Sequence, residues 1–219
     1  MQTHREIEAF RIEELEDIYP AIKDAIEARL AEFRQIWETA GEEELFLELI
    51  FCLLTPQSRA KTCWKAVQRL TSKGMIQGGE PCHIREELVG VRFNKRKEEY
   101  SCLSREKFCK EPIRGTLAGC SGPVAAREWL VENVKGLGYK ESSHFLRNIG
   151  LGEDLAILDR HILKNLVLLG VIEEVPSSPS KRIYLDIEKK MTYFSGQVKI
   201  PMGHLDLLLW CKETGEIFK

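Results

Sequence analysis

Lys140 stands two residues after Gly138, and Gly138 follows Gly136 with one residue between them, so a basic side chain sits just beyond a glycine pair that separates two stretches of helical period. Glycines there permit positive φ and let another molecule approach the backbone closely. The pattern is a helix–hairpin–helix. Backbone N–H groups around Gly136, Gly138 and Tyr139, unpaired at the start of the second helix, can hold a phosphate without reading a base sequence. An ordinary tight turn between two helices uses the same glycines. Lys140 lies in the first turn, where the helix dipole disfavours a cation, and a neutral amine is a nucleophile. A solvated surface lysine is the competing reading.

Asp159 follows 19 residues later in ILDRHILKNLVLLG, where a new apolar period starts. Its plain role is the N-cap of that helix, and a capping carboxylate can also be catalytic. If the hairpin and the following loop fold back on each other, an amine and an anion face one opening. That pair suits attack at a sugar carbon that develops positive charge.

The elements that must position these residues read as helices throughout, with no alternating β-branched stretches, so the expected fold class is all-α, with about ten helices. Two amphipathic helices are expected at 4–18 and 21–39, with Pro20 starting the second and Gly41 ending the pair. Residues 43–54 are apolar nearly all round and mark the central core helix. Thr55, Pro56 and Gln57 stop it. Ser58 can cap a helix from Arg59 to Leu70, ahead of a turn at Gly74, Gly78 and Gly79. A short helix at 84–89 precedes an amphipathic one at 94–109, with an apolar stripe of Tyr100, Leu103 and Phe108. Later helices fall near 123–134, 140–149, 160–169, 180–194 and 201–213, with loops holding Pro176, Pro179 and Gly196.

With 219 residues, 43% hydrophobic and 30% charged, the chain can bury a sizeable core and has no apolar run long enough to span a membrane. A net charge of -2 argues against coating nucleic acid by bulk electrostatics, yet 32 Lys and Arg leave room for a local basic face. The amino terminus carries acidic residues and no signal-peptide core, so a cytoplasmic location is expected. Seven cysteines without a C-x-x-C pair speak against a disulfide framework and a zinc ribbon. Only Cys211 lies beyond residue 120, so no four-cysteine iron–sulfur site can form near the carboxyl end.

Residues 134–166, VKGLGYKESSHFLRNIGLGEDLAILDRHILKNL, resemble the helix–hairpin–helix, glycine/proline-rich loop, aspartate superfamily of DNA base-excision glycosylases. Within it, KGLGYKESSHFLRNIG and DLAILDRHIL are similar to the type 2 8-oxoguanine DNA glycosylase/AP lyases of archaea and thermophilic bacteria. The similarity extends to LLTPQSRAKTCW at 53–64 and VRFNKRKEEY at 91–100, and so covers most of the chain.

The resemblance implies a cleft between two helical subdomains. One, residues 41–149, is a helical barrel carrying the hairpin at about 123–149; the other joins 1–40 to 150–219. It implies Lys140 as the Schiff-base nucleophile and Asp159 as its acidic partner. Phe93 and Trp210 would flank the damaged base, with Lys219, the last residue of the tail GEIFK, closing the recognition site through its carboxylate. Without the resemblance, Trp210 reads as core and Lys219 as a frayed end. Gln57, Ser58 and Arg92 become candidate DNA contacts, and Lys95, Arg96 and Lys97 candidate phosphate contacts, against a helix cap for Ser58 and a solvated face for the basic residues. His144 and His161 receive no catalytic role.

The expected activity is removal of 8-oxoguanine from double-stranded DNA through a lysine imine followed by β-elimination, by a monomer that needs no metal or organic cofactor and joins the nucleoid while acting on DNA. The rivals are a glycosylase of the same superfamily for another lesion, a non-catalytic hairpin module that binds DNA, and a helical protein-interaction domain.

Overall fold

A computed structural model describes residues 4–78 and 81–219 of the chain. Among the described residues there are twelve helices and no strand: α1 His4–Thr39, α2 Glu42–Leu54, α3 Ala60–Ser72, α4 Met75–Gly78, α5 Pro81–Glu87, α6 Asn94–Phe108, α7 Ile113–Ala118, α8 Pro123–Asn133, α9 Tyr139–Asn148, α10 Arg160–Leu168, α11 Lys181–Val198 and α12 Met202–Thr214. Gly79 of the expected turn lies outside the described residues. The chain divides into two compact units. One holds the chain up to Phe33 with Glu153–Lys219, and the other holds Arg34–Gly152. α1 runs through the first boundary.

The expected break at Pro20 does not occur, because α1 continues through it. A proline inside a helix frees the carbonyl four residues back. Here that residue is Glu16, and both Glu16 and Pro20 are exposed. Water can serve the freed carbonyl there. Gly41 is the N-cap of α2, at φ −77, and its N–H donates to the Glu44 carboxylate at 3.1 Å.

In the Arg34–Gly152 unit, α2 is the central helix, with Leu45, Leu49, Ile50, Phe51, Leu53 and Leu54 all at most 1% exposed. Each such side chain contributes about 1.5–3 kcal/mol relative to leaving it in water. α3, α6, α7 and α9 pack around it. The face α6 turns inward is not the expected stripe. Lys97, Ser101 and Ser104 are buried, whereas Leu103 is 39% exposed. Serine is small enough for close helix approach, and Ser101 hides its hydroxyl by donating to the Lys97 carbonyl at 2.8 Å.

In the other unit, α12 packs against α10 and α11. α11 runs four residues past its expected end and carries Gly196 inside it, closing at Lys199 in the left-handed region, φ 55. A Cβ at Gly196 would meet nothing within 4 Å. Gly196→Ala is therefore expected to raise stability by about 0.5–1 kcal/mol, read as a higher denaturation midpoint.

Candidate active site

α8 and α9 form the hairpin, and four contacts brace it. Gly136 turns at φ +99, where a Cβ would come within 2.3 Å of the Tyr100 ring. Gly138 is at φ −95 and needs no left-handed conformation, a correction to the expectation for both glycines. The Gly138 N–H donates to the Glu141 carboxylate at 3.3 Å, and Tyr139 donates its phenol proton to Glu128 at 2.6 Å. Arg127, fully buried, lies 5.4 Å from the centre of the Tyr139 ring and donates to the Ser143 hydroxyl at 3.2 Å. The Tyr139 hydroxyl thus belongs to the hairpin's own bracing. The N–H groups of the first turn of α9 have no acceptor within the helix by construction. Gly136→Ala meets both a steric and a conformational penalty, and a loss of about 2 kcal/mol or more is expected, seen as a lower denaturation midpoint.

Lys140 is the second residue of α9 and its side chain is 21% exposed. Its ammonium nitrogen donates to Thr55 Oγ1 at 3.2 Å and lies 3.8 Å from the Glu141 carboxylate. Thr55 is the C-cap of α2 and donates its own hydroxyl proton to the Cys52 carbonyl at 2.9 Å. Two thiols lie close enough to feel the lysine charge, and burial raises both: Cys52 well above its ordinary value and Cys63 to about 11. They remain protonated and are poor nucleophiles. That leaves the amine.

Ser58 does not cap α3; Arg59 occupies that position. The Ser58 hydroxyl instead accepts from the Arg92 N–H at 3.0 Å and from Lys97 at 3.1 Å. Lys97, expected on a solvated or phosphate-binding face, is 4% exposed and donates to the Leu54 and Pro56 carbonyls at 2.6 and 2.7 Å. Three donors meet three acceptors at the polar end of α2.

Burial pushes the Lys97 ammonium down to about 8 from 10.5. Between these values the unfolded chain holds a proton that the folded chain has released, so this group makes stability rise with pH across the window from about 8 to 10.5. In Lys97→Met that rise is expected to vanish from a plot of denaturation free energy against pH.

Gln57 and Phe93 both sit in the left-handed region, at φ 54 and 57, and flank the Ser58–Arg92 bond. Phe93 is 55% exposed, with the Arg92 guanidinium 5.6 Å from its ring centre. Bulky residues at positive φ cost of order 1–3 kcal/mol and cluster where function demands it. Gln57, Ser58, Arg92 and Phe93 are thereby gathered on two joined loops. Lys95 and Arg96 are exposed at the start of α6.

Asp159 caps α10, with Oδ1 accepting from the N–H groups of His161 and Ile162, both at 2.8 Å. One oxygen makes the cap, leaving Oδ2 outside it. His161 stands edge-on to Trp210 with ring centres 5.3 Å apart. Trp210 is partly exposed, and its buried indole Nε1 has no hydrogen-bond partner, an atom that core packing alone does not explain. Glu213 on α12 accepts from Lys164 and Asn165 of α10, and the Lys164 hydrogen bond holds its carboxyl below the usual range. Ile217, Phe218 and Lys219 are half-buried. Thr55 and Glu141 are the site residues the sequence reading missed. Only Glu141 had a signal, its place three residues after the helix N-cap.

Among the described residues helices and loops alone make up the chain, its glycine hairpin opens a helix that carries a half-buried lysine, and the next helix is capped by an aspartate, a helix–hairpin–helix arrangement. The family model described as 8-oxoguanine DNA glycosylase matches residues 26–200, and the chain belongs to that family. A relative from Fusobacterium nucleatum, named 8-oxoguanine DNA glycosylase/AP lyase, is 47% identical over 209 residues, covering 94% of this chain and 96% of the relative. The crystal structure of the Methanocaldococcus jannaschii 8-oxoguanine DNA glycosylase superposes with a TM-score of 0.89 at 34% identity, covering the whole of both chains. The same organism's enzyme in complex with a 15mer DNA containing 8-oxoguanine gives a TM-score of 0.88 at 34% identity, covering 96% of this chain and 100% of that one.

Among the described residues no group of three or more His, Cys, Asp or Glu could hold a metal ion, and no helix is long and apolar enough to cross a membrane.

Proposed function

We propose that this chain excises 8-oxoguanine from double-stranded DNA and then cleaves the strand at the resulting site. The observation that carries the reading is the Lys140 amine, half-buried at the mouth of the hairpin and bonded to a hydroxyl that can only accept from it.

The target nucleotide must leave the stack before its C1′ can be reached, at a cost of a few kcal/mol. Phe93 and Trp210 are the aromatic faces that return part of that cost. 8-Oxoguanine carries an N7–H donor where guanine has an acceptor, and the half-buried segment at Lys219 is assigned to supply the matching acceptor. The N–H groups at Gly136 and Tyr139 hold a phosphate, the Gly138 N–H being taken by Glu141 instead, while Gln57, Ser58 and Arg92 meet the duplex.

Neutral Lys140 attacks C1′. The C1′–N9 bond breaks and its electron pair leaves with the base, which takes up a proton. The Asp159 carboxylate stabilises the positive charge at C1′ and the ring oxygen. Opening of the sugar C1′–O4′ bond, its electron pair going to O4′ as an amine proton passes to that oxygen, yields a protonated imine between Lys140 and C1′. Loss of a C2′ proton then expels the 3′ phosphate and nicks the strand. These steps use side chains alone.

The test offers the protein matched duplexes containing 8-oxoguanine opposite cytosine, an oxidised pyrimidine opposite adenine, or no lesion. Cleavage confined to the first is expected. Preference for the oxidised pyrimidine transfers the chain to another substrate, and salt-sensitive binding with no cleavage reduces it to a binding module.

A further inference from the structure

Lys140 reaches the substrate from the end of a flexible stem, and an unrestrained lysine spends most of its time pointing elsewhere. In this fold the restraint comes from a residue 85 positions away in sequence. We propose that Thr55 is the positioning residue for the Lys140 amine, a role that rests on the reading of Lys140 as the nucleophile.

Thr55 is 7% exposed, and its environment decides which way its hydroxyl works. A hydroxyl has one proton to give, and Thr55 gives it to the Cys52 carbonyl at 2.9 Å. Towards Lys140, 3.2 Å away, Thr55 can therefore only accept. A neutral amine has two N–H bonds and one lone pair. An acceptor engages an N–H and leaves the lone pair for an electrophile, whereas a hydroxyl that donated would occupy the very electrons that must form the bond to C1′. The contact also survives deprotonation, since an ammonium and an amine both offer N–H to the same oxygen.

The Thr55 hydroxyl is held in place from both sides. Lys97 ties down the Leu54 and Pro56 carbonyls that bracket it. The Thr55 N–H donates to Cys52 O at 3.3 Å, and its carbonyl accepts from Ser58 N at 2.9 Å. β-Branching further restricts χ1. Glu141, the other polar neighbour of the amine, is occupied by the Gly138 N–H through one oxygen and stands 3.8 Å away with the other. Thr55 is thus the nearer partner of the amine.

The experiment measures the single-turnover rate of borohydride-trapped imine on a duplex with a preformed abasic site, alongside DNA affinity and denaturation midpoint. Thr55→Val keeps the shape and removes the acceptor; Thr55→Ser keeps the acceptor. Misplacement of a reacting group is costly, so Thr55→Val is expected to slow trapping by about 10-fold or more with affinity unchanged, and Thr55→Ser to recover most of the rate. Should valine unfold the chain, Thr55→Ala carries the same test. A trapping rate for Thr55→Val like that of the native chain overturns the proposal, as does an equal loss in Thr55→Ser, or a loss that follows DNA affinity and midpoint down together. Lys140→Gln runs in parallel. If it still traps, the nucleophile assignment falls; if it is dead while Thr55→Val is normal, only the role of Thr55 falls.

Discussion

Lys140→Gln should leave the protein folded, able to bind DNA, and without any borohydride-trapped adduct on an 8-oxoguanine duplex. Glutamine, one atom shorter than lysine, keeps a polar N–H group on the side of Thr55, but its amide nitrogen has no free lone pair, so the covalent route closes. A fall in strand cleavage of about 10³-fold or more is expected, because a covalent step cannot be shared out among the remaining groups. The stability change has the opposite sign to the usual one. Removing a cation from the first turn of α9 relieves its unfavourable interaction with the helix dipole, worth about 0.3–1 kcal/mol at a partly exposed site. The denaturation midpoint should therefore hold or rise slightly. An adduct of normal yield from the glutamine variant would remove Lys140 from the reaction.

Asp159 caps α10 and, on the proposed mechanism, also stabilises the charge at C1′, and two substitutions separate these roles. Asparagine caps helices as well as aspartate does, so Asp159→Asn keeps Oδ1 on the His161 and Ile162 N–H groups and should leave α10 intact. What it lacks is the negative charge. Loss of one preorganised electrostatic group costs about 10²–10³ in rate, and base removal should fall by that factor at nearly unchanged stability. Asp159→Ala loses the cap as well, adding about 1 kcal/mol of destabilisation. Single-turnover base release and thermal denaturation on both variants check this. If Asp159→Asn works at the native rate, the carboxylate is a cap and nothing more.

Both variants concern residues whose importance the sequence announces, and the reason is locality. A helix N-cap is read from its own residue and the period that follows, so Asp159 and the start of α10 were legible, as was the hairpin between α8 and α9 from its glycine spacing. The apolar circumference of α2 made its central place legible too. These signals act within a turn or two of the chain, where sequence neighbours are spatial neighbours.

What only the tertiary structure decided depends on partners brought from afar. Pro20 reads as a helix start, yet its helix continues because the freed carbonyl lies on an exposed face. Lys97 reads as one of three basic surface residues in NKRK, and it is buried because the end of α2, about forty residues earlier, presents it with three oxygens. Two serines and Lys97, rather than Leu103, line the inner face of α6, a choice made by what α2 brings against it. Thr55 reads as the end of a helix, and its hydroxyl meets Lys140 only once α2 and α9 pack. The sequence by itself determined which residues could do chemistry and which turns would carry them. The fold decided which hydroxyl, carbonyl and ammonium would face each other, because a buried polar group is stable only where its partners converge, and that convergence is a property of packing.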